Sequence, residues 1–160
     1  KNLPLLFSAF EKASHLVDDI ALICIGAQLD IDYSPTVNTN VIFLGQRKDV
    51  ERLIPAFDAL CLTSLWEGLP NVVGEAMLSG LPCLVSDVGD SKYIVGACGW
   101  VVPSNDEEGY LEAMIEASRM SSEDFTTLKI LARKRVIENF SNELKLDKYS
   151  SLYLSFLEAR

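Results

Sequence analysis

The chain has 160 residues, 49% of them aliphatic, aromatic or cysteine and 23% charged, the make-up of one globular domain long enough to bury a core. A net charge of -9 argues against a nucleic-acid backbone as partner, because nothing neutralises phosphates in bulk, while one diphosphate held by a few local donors stays compatible. No apolar run approaches the ~20 residues of a membrane span, and no signal peptide is visible.

The sequence opens directly on Lys1-Asn2-Leu3-Pro4 with a helix and no strand before it. An α/β domain normally begins on a strand, so the expectation is a sheet short on that side or a piece of a longer protein. Leu3, Leu6, Phe7, Phe10, Ala13 and Val17 recur at helical spacing and predict an amphipathic helix of about 14 residues. His15, the only histidine, has no acid or nucleophile beside it and reads as a surface or boundary residue. Ile20 to Ile25 is a near-continuous apolar run, a buried parallel strand closed by Gly26. Gln28 to Asn40 is polar and turn-rich, and Val41 to Leu44 is the next strand, closed by Gly45. Gln46-Arg47-Lys48 follows, with Asp49 predicted to cap a short helix running to about Phe57. The adjacent cations at the sheet's carboxyl edge leave two readings open: a solvated turn, or a loop that approaches the base of a nucleotide.

Asp58 to Thr63 is a third strand and Cys83 to Ser86 a fourth, separated by a loop and a short helix. Asp87 to Ser91 is a turn leading into a helical segment to Val95, and Gly99 to Pro103 is a final strand. The remainder is helical, with Asn105 and Glu108, then Ser121 and Asp124, each spaced like a capping box. Leu111, Met114, Ile115 and Ser118 form one helix face. Phe125, Leu128, Ala132, Val136 and Phe140 form another, and Tyr149, Leu152, Tyr153 and Phe156 a third; all three are expected in the core. Cys24, Cys61, Cys83 and Cys98 lack any C-x-x-C spacing and read as reduced, buried small hydrophobes of a cytosolic protein.

The informative stretch is Ser64 to Val88. Strand, loop, helix and strand follow one another there, the repeating unit of a parallel sheet. Its loop falls at a strand's carboxyl end and a helix's amino end, where open α/β sheets bind ligands. Gly68 removes a side chain where backbone must approach something closely, and Pro70 stiffens the bend without offering an N–H. From Asn71 on, unpaired N–H groups and the positive end of the helix dipole make an anion site fit for a diphosphate. Glu67 and Glu75 bracket it, and carboxylates accept from sugar hydroxyls. Glu75, expected in the first helical turn, has a plain alternative role there: stabilising the dipole by roughly 0.3–1 kcal/mol.

Glu67-Gly68-Leu69-Pro70-Asn71-Val72-Val73-Gly74-Glu75-Ala76-Met77 resembles the E-x7-E signature of retaining glycosyltransferases of family 4, which have the GT-B fold. The flanks agree in order along almost the whole chain: Val41 to Gly45, Asp58 to Ser64, Gly80 to Gly89 and Gly99 to Pro103 resemble the family's strands and exits. The resemblance implies a Rossmann-like parallel sheet flanked by helices, the carboxyl-terminal half of a GT-B fold with its first strand absent. It implies that Glu75 accepts from the ribose hydroxyls, that Glu67 faces the donor sugar, and that N–H groups at Gly68, Leu69, Asn71 and Val72 hold sugar and phosphate oxygens. Lys1 aligns with the lysine that neutralises the diphosphate leaving group, and Gln46 and Arg47 with the residues beside the base. No metal or other cofactor is implied, the donor being a UDP-, GDP- or ADP-sugar. Asn2 departs from the family's usual glycine. Asp90, Ser91 and Tyr93 depart from its usual turn, in a version familiar from enzymes of surface polysaccharides.

The expectation is one nucleotide-sugar-binding domain over residues 1–160, with the acceptor-binding amino-terminal domain absent from this chain. Such an enzyme would move a sugar to a glycan or lipid-linked acceptor in the cytoplasm or at the inner face of the membrane, and this piece alone would be inactive. The rivals are a GT-B sugar-nucleotide epimerase and a non-catalytic nucleotide-binding module. A dinucleotide-binding dehydrogenase is remote, because no G-x-G-x-x-G follows a predicted strand.

Overall fold

The computed structural model of the chain describes residues 1–27 and 40–158; most of the expected turn-rich stretch, residues 28–39, lies outside them. Helix α1 (Leu3–Ser14) turns Leu5, Leu6, Ala9, Phe10 and Ala13 inward, so the predicted amphipathic helix forms but stops short of Val17. Strands β1 (Leu22–Cys24) and β2 (Val41–Phe43) pair in parallel with Leu22 opposite Val41. Helix α2 (Val50–Leu53) follows, continued by a 3-10 turn at Ile54–Ala56. Asp49 precedes α2 without capping it through its side chain, contrary to expectation. Its carboxylate is taken by the Arg47 guanidinium in two hydrogen bonds of 2.9 and 2.7 Å, a charged pair that outcompetes a neutral backbone N–H.

Strand β3 (Leu60–Leu62), helix α3 (Asn71–Leu78), strand β4 (Cys83–Ser86), helix α4 (Ser91–Val95) and strand β5 (Gly99–Val102) then alternate. The three strands form a parallel sheet in the order β3-β4-β5, with Leu60 opposite Cys83 and Cys83 opposite Gly99. All four β4 residues are buried, as a central strand covered on both faces requires. Cys83 and Val85 pack with Val73, Met77 and Val95 on one side, and Leu84 packs with Leu6, Phe10 and Tyr110 on the other. This alternation is the period of two that every strand imposes.

The five strands lie in two parallel sheets, β1-β2 and β3-β4-β5. All four cysteines are free thiols; Cys24, Cys83 and Cys98 are buried and Cys61 is half-buried.

Helices α5 (Glu107–Arg119), α6 (Ser122–Phe140) and α7 (Asn142–Glu158) complete the chain. The expected box of Asn105 with Glu108 does not form. Asp106 is the cap, accepting from Gly109 N–H at 3.0 Å, while Asn105 adopts φ 64 and accepts from the Asn2 amide at 3.0 Å. At the second, Ser121 is the cap but the box is not closed: its Oγ accepts from Asp124 N–H at 3.0 Å, and the Asp124 carboxylate accepts from that hydroxyl at 2.7 Å rather than from the Ser121 N–H. Helix α6 also closes the ends of two others: Arg133 donates to the Leu78 carbonyl at the end of α3, and Arg135 donates to Tyr93 and Ile94 in α4. Cations at helix C-termini satisfy orphan carbonyls and suit the dipole.

Helix α7 corrects the sequence reading. Tyr149, Leu152, Tyr153 and Phe156 are exposed, not core, because α7 leans mainly on α6. Among the described residues no helix is long and apolar enough to cross a membrane.

One buried hydroxyl joins the strand ends. Tyr110, fully buried on α5, donates to the Leu62 carbonyl at 2.7 Å and lies 3.0 Å from Ser86 Oγ. Because the phenol proton goes to Leu62, Ser86 donates to Tyr110. Tyr110→Phe removes the acceptor of the buried Ser86 hydroxyl and one bond at the Leu62 carbonyl, and chemical denaturation is expected to show a loss of about 1–3 kcal/mol.

Candidate functional site

At the carboxyl end of β3 the chain passes through two buried polar residues before it turns. Thr63 Oγ1 donates to the Asn2 carbonyl at 3.0 Å, and Ser64 Oγ donates to Glu67 Oε1 at 2.6 Å. The chain then bends through Leu65 to Pro70 and enters α3 at Asn71. The turn after β4 holds this bend from the side: Asp90 N–H donates to the Gly68 carbonyl at 2.9 Å. Gly89 makes that approach possible. It sits at φ +53, and a Cβ there would overlap the carbonyl oxygens of Glu67 and Gly68.

The start of α3 is bare. Pro70 is its N-cap and supplies no side-chain bond. Val73 N–H turns back to the Pro70 carbonyl at 3.0 Å, while Asn71 and Val72 N–H have no partner among the described residues. A Cβ on Gly68 or Gly74 would meet nothing within 4 Å, so internal packing requires neither glycine. Unpaired N–H groups and bare backbone thus face open space at the positive end of a helix.

Lys1 Nζ donates to Glu67 Oε1 at 2.5 Å, the atom that Ser64 also engages. The lysine side chain is half-exposed, whereas that of Glu67 is 18% exposed. The Lys1 ammonium, then the Ser64 hydroxyl, hold the Glu67 carboxyl below its ordinary range. Glu75 lies four residues past the start of α3, beyond the first turn, so the dipole-stabilising role expected for it lapses. Its carboxylate is exposed and has no partner among the described residues.

The structure thus gathers Lys1, Glu67, Gly68, Asn71 and Val72 at one strand end and one helix start, with Leu69 exposed on the bend and Glu75 on the helix that follows. It does not join Gln46 or Arg47 to them by any bond. Gln46 is exposed in the loop after β2, and Arg47 is engaged by Asp49. Sequence reasoning passed over three contributors. Ser64 and Gly89 lay inside the motif's flanks, where a small residue beside a strand end was the available signal. Asn2 carried none, since its bonds to Thr63 and Asn105 cross between distant parts of the chain. In the turn that departs from the family pattern, Ser91 Oγ is fully buried without a partner among the described residues, and Tyr93 packs edge-on against Phe140 at 5.5 Å.

Residues 1–119 match the family model described as glycosyl transferases group 1. The chain is 27% identical over 96% of its length to the UDP-Gal:alpha-D-GlcNAc-diphosphoundecaprenol alpha-1,3-galactosyltransferase of Escherichia coli, and covers 42% of that protein. A glycosyltransferase from Rickettsia africae superposes with a TM-score of 0.84 at 18% identity, over 98% of this chain and 45% of that one. Anabaena Alr3699/HepE, solved in complex with UDP and glucose, superposes with a TM-score of 0.78 at 21% identity, over 94% of this chain and 45% of its own. The chain therefore spans less than half the length of these proteins.

Two outcomes follow from the loop's construction. Gly89→Ala forces a side chain into a left-handed backbone at a cost of about 1–2 kcal/mol before the overlap with Glu67 and Gly68 is counted. Thermal denaturation should show the loss, and amide shifts should move at residues 67–69. For Glu67 the folded pKa lies below the unfolded one, so its contribution to stability is present above the unfolded value of about 4.3 and disappears as pH falls through the folded value. In Lys1→Ala the Glu67 carboxyl should titrate closer to its ordinary value in carbon-13 NMR; an unchanged midpoint would mean that Lys1 is not the cause.

Proposed function

The chain belongs to the group 1 glycosyl transferases and has the α/β fold of a GT-B domain, and from that premise we propose that it is the donor-binding part of a retaining, family 4 enzyme. The observation that carries this reading is the uncapped start of α3 beside the Lys1–Glu67 pair at the sheet's carboxyl edge. The diphosphate of a nucleotide sugar sits at the Asn71 and Val72 N–H groups, with the Gly68 and Leu69 backbone beside the sugar. The exposed Glu75 carboxylate accepts from the ribose hydroxyls, and Glu67 faces the sugar.

In transfer, the bond from the anomeric carbon to the diphosphate oxygen breaks, one to an acceptor hydroxyl oxygen forms and the hydroxyl proton passes to the departing diphosphate oxygen; as the first bond breaks, negative charge collects on the leaving diphosphate. The helix start and Lys1, which exchanges part of its bond to Glu67 for the phosphate, stabilise that charge in place of a divalent cation. UDP is the first nucleotide to test, because the Escherichia coli relative is named for a UDP-sugar and the Anabaena neighbour was solved with UDP. Gln46 and Arg47 are assigned to the base on the family resemblance alone.

The acceptor, a glycan or a lipid-linked saccharide of surface polysaccharide synthesis, is assigned to a second domain outside this chain. The reaction is placed in the cytoplasm or at the inner face of the membrane. Transfer is favoured over epimerisation because the relatives named above are transferases.

Calorimetry tests the donor site. UDP should bind the chain, Glu75→Ala should weaken it about tenfold or more, and EDTA should change nothing; a tenfold loss is about 1.4 kcal/mol, close to the lower end, about 1.5 kcal/mol, for a hydrogen bond to a charged group. Equal UDP affinity in Glu75→Ala would favour a non-catalytic module with another binding mode. Sugar transfer by the 160-residue chain alone would overturn the assignment of the acceptor to a second domain.

A further inference from the structure

Trp66 stands immediately before Glu67, and its side chain is 88% exposed, the highest value among the large apolar residues described. Its backbone is not loose, for Thr63 and Ser64 just upstream are buried and bonded, and Gly68 just downstream is held by Asp90. Among the described residues the indole stacks on no ring and meets no cation. Beside it lies an open depression of about 430 Å³ lined by Leu65, Trp66, Glu67, Val88, Gly89 and Ser104. The lining is apolar except for one carboxylate, one hydroxyl and the bare backbone at Gly89. Internal packing gives no reason to fix a bare indole in water at the mouth of the site, since large apolar side chains gain by burial.

We propose that Trp66 is a stacking platform for a hexopyranose ring at the Glu67 end of the site. A pyranose presents C–H groups on its face and hydroxyls around its rim, which is the complement of this depression. The indole takes the C–H face, and rim hydroxyls donate to Glu67 and Ser104. Glu67 has capacity for this, because Lys1 and Ser64 both engage Oε1 and Oε2 has no partner among the described residues. Other occupants suit the surface less well. A chain of net charge -9 is repelled by an anionic lipid layer, and an apolar patch of a second copy would bury the Glu67 carboxylate without giving it a donor. The assignment rests on the nucleotide-sugar reading, and the ring belongs either to the donor or to the acceptor.

The chain has two tryptophans, Trp66 and Trp100, so its proton–nitrogen NMR spectrum carries two indole signals. Titration with the methyl α-glycosides of glucose and galactose, with UDP-glucose and UDP-galactose, and with UDP separates the possibilities. At least one saccharide should shift the Trp66 signal more than UDP does. Trp66→Ala should weaken that binding at least fivefold, Trp66→Phe should restore it to within twofold of wild type, and UDP affinity should stay unchanged in both. Loss confined to the UDP-sugars marks the donor's ring, and loss confined to the free glycosides marks the acceptor's. Wild-type saccharide affinity in Trp66→Ala, no Trp66 shift with any sugar, or a shift on raising chain concentration alone would overturn the platform. Failure of UDP, GDP and ADP alike to bind the wild type would instead defeat the nucleotide-sugar reading, and the glycoside titrations would still decide the platform.

Discussion

The hydrogen bond from Asp90 N–H to the Gly68 carbonyl, allowed because Gly89 has no side chain, is the contact on which the site depends. It ties the turn after β4 to the bend after β3, two segments that the sheet brings side by side but does not itself join. With the bend held, Ser64 and Lys1 can both reach one oxygen of Glu67, and α3 begins at Asn71 with its first N–H groups unspent. A helix start left uncapped forgoes about 1 kcal/mol that a side chain could supply. An oxygen of the proposed ligand would complete the cap.

Beneath the bend the scaffold is built for stiffness. Tyr110 bridges the ends of β3 and β4 from one side of the sheet. From the other, α6 packs Ala132 and Val136 into the core while its arginines close α3 and α4 at their far ends. Helix α3 is therefore fixed by its C-terminus and its buried face, Val73, Ala76 and Met77, and open at its N-terminus. Dipoles fixed beforehand are what the proposed binding of a diphosphate without rearrangement would need.

Charge at the site is balanced. Lys1 and Glu67 neutralise one another, so the positive potential offered to an anion comes from the helix start, with the lysine available by exchange. A surface of net charge -9 can thus admit a polyanion at one point without attracting nucleic acid in general. The exposed indole of Trp66 adds an apolar face one residue before Glu67.

The sequence by itself determined the element order and the bend between β3 and α3, because strand and helix periods and glycines are local signals read along the chain. It located β4 to the residue, since a central parallel strand must be apolar throughout. It erred where partners come from afar or where neighbours compete. Asp49 preferred Arg47 to a helix end, Asp106 displaced Asn105 as a cap, and the aromatic stripe of α7 stayed exposed. Only the tertiary structure decided that Lys1 reaches Glu67, that Gly89 lies against the bend and that Asn2 links Thr63 to Asn105. Those contacts join residues far apart in the chain, and a period or a motif carries no information about which distant backbone will arrive beside it.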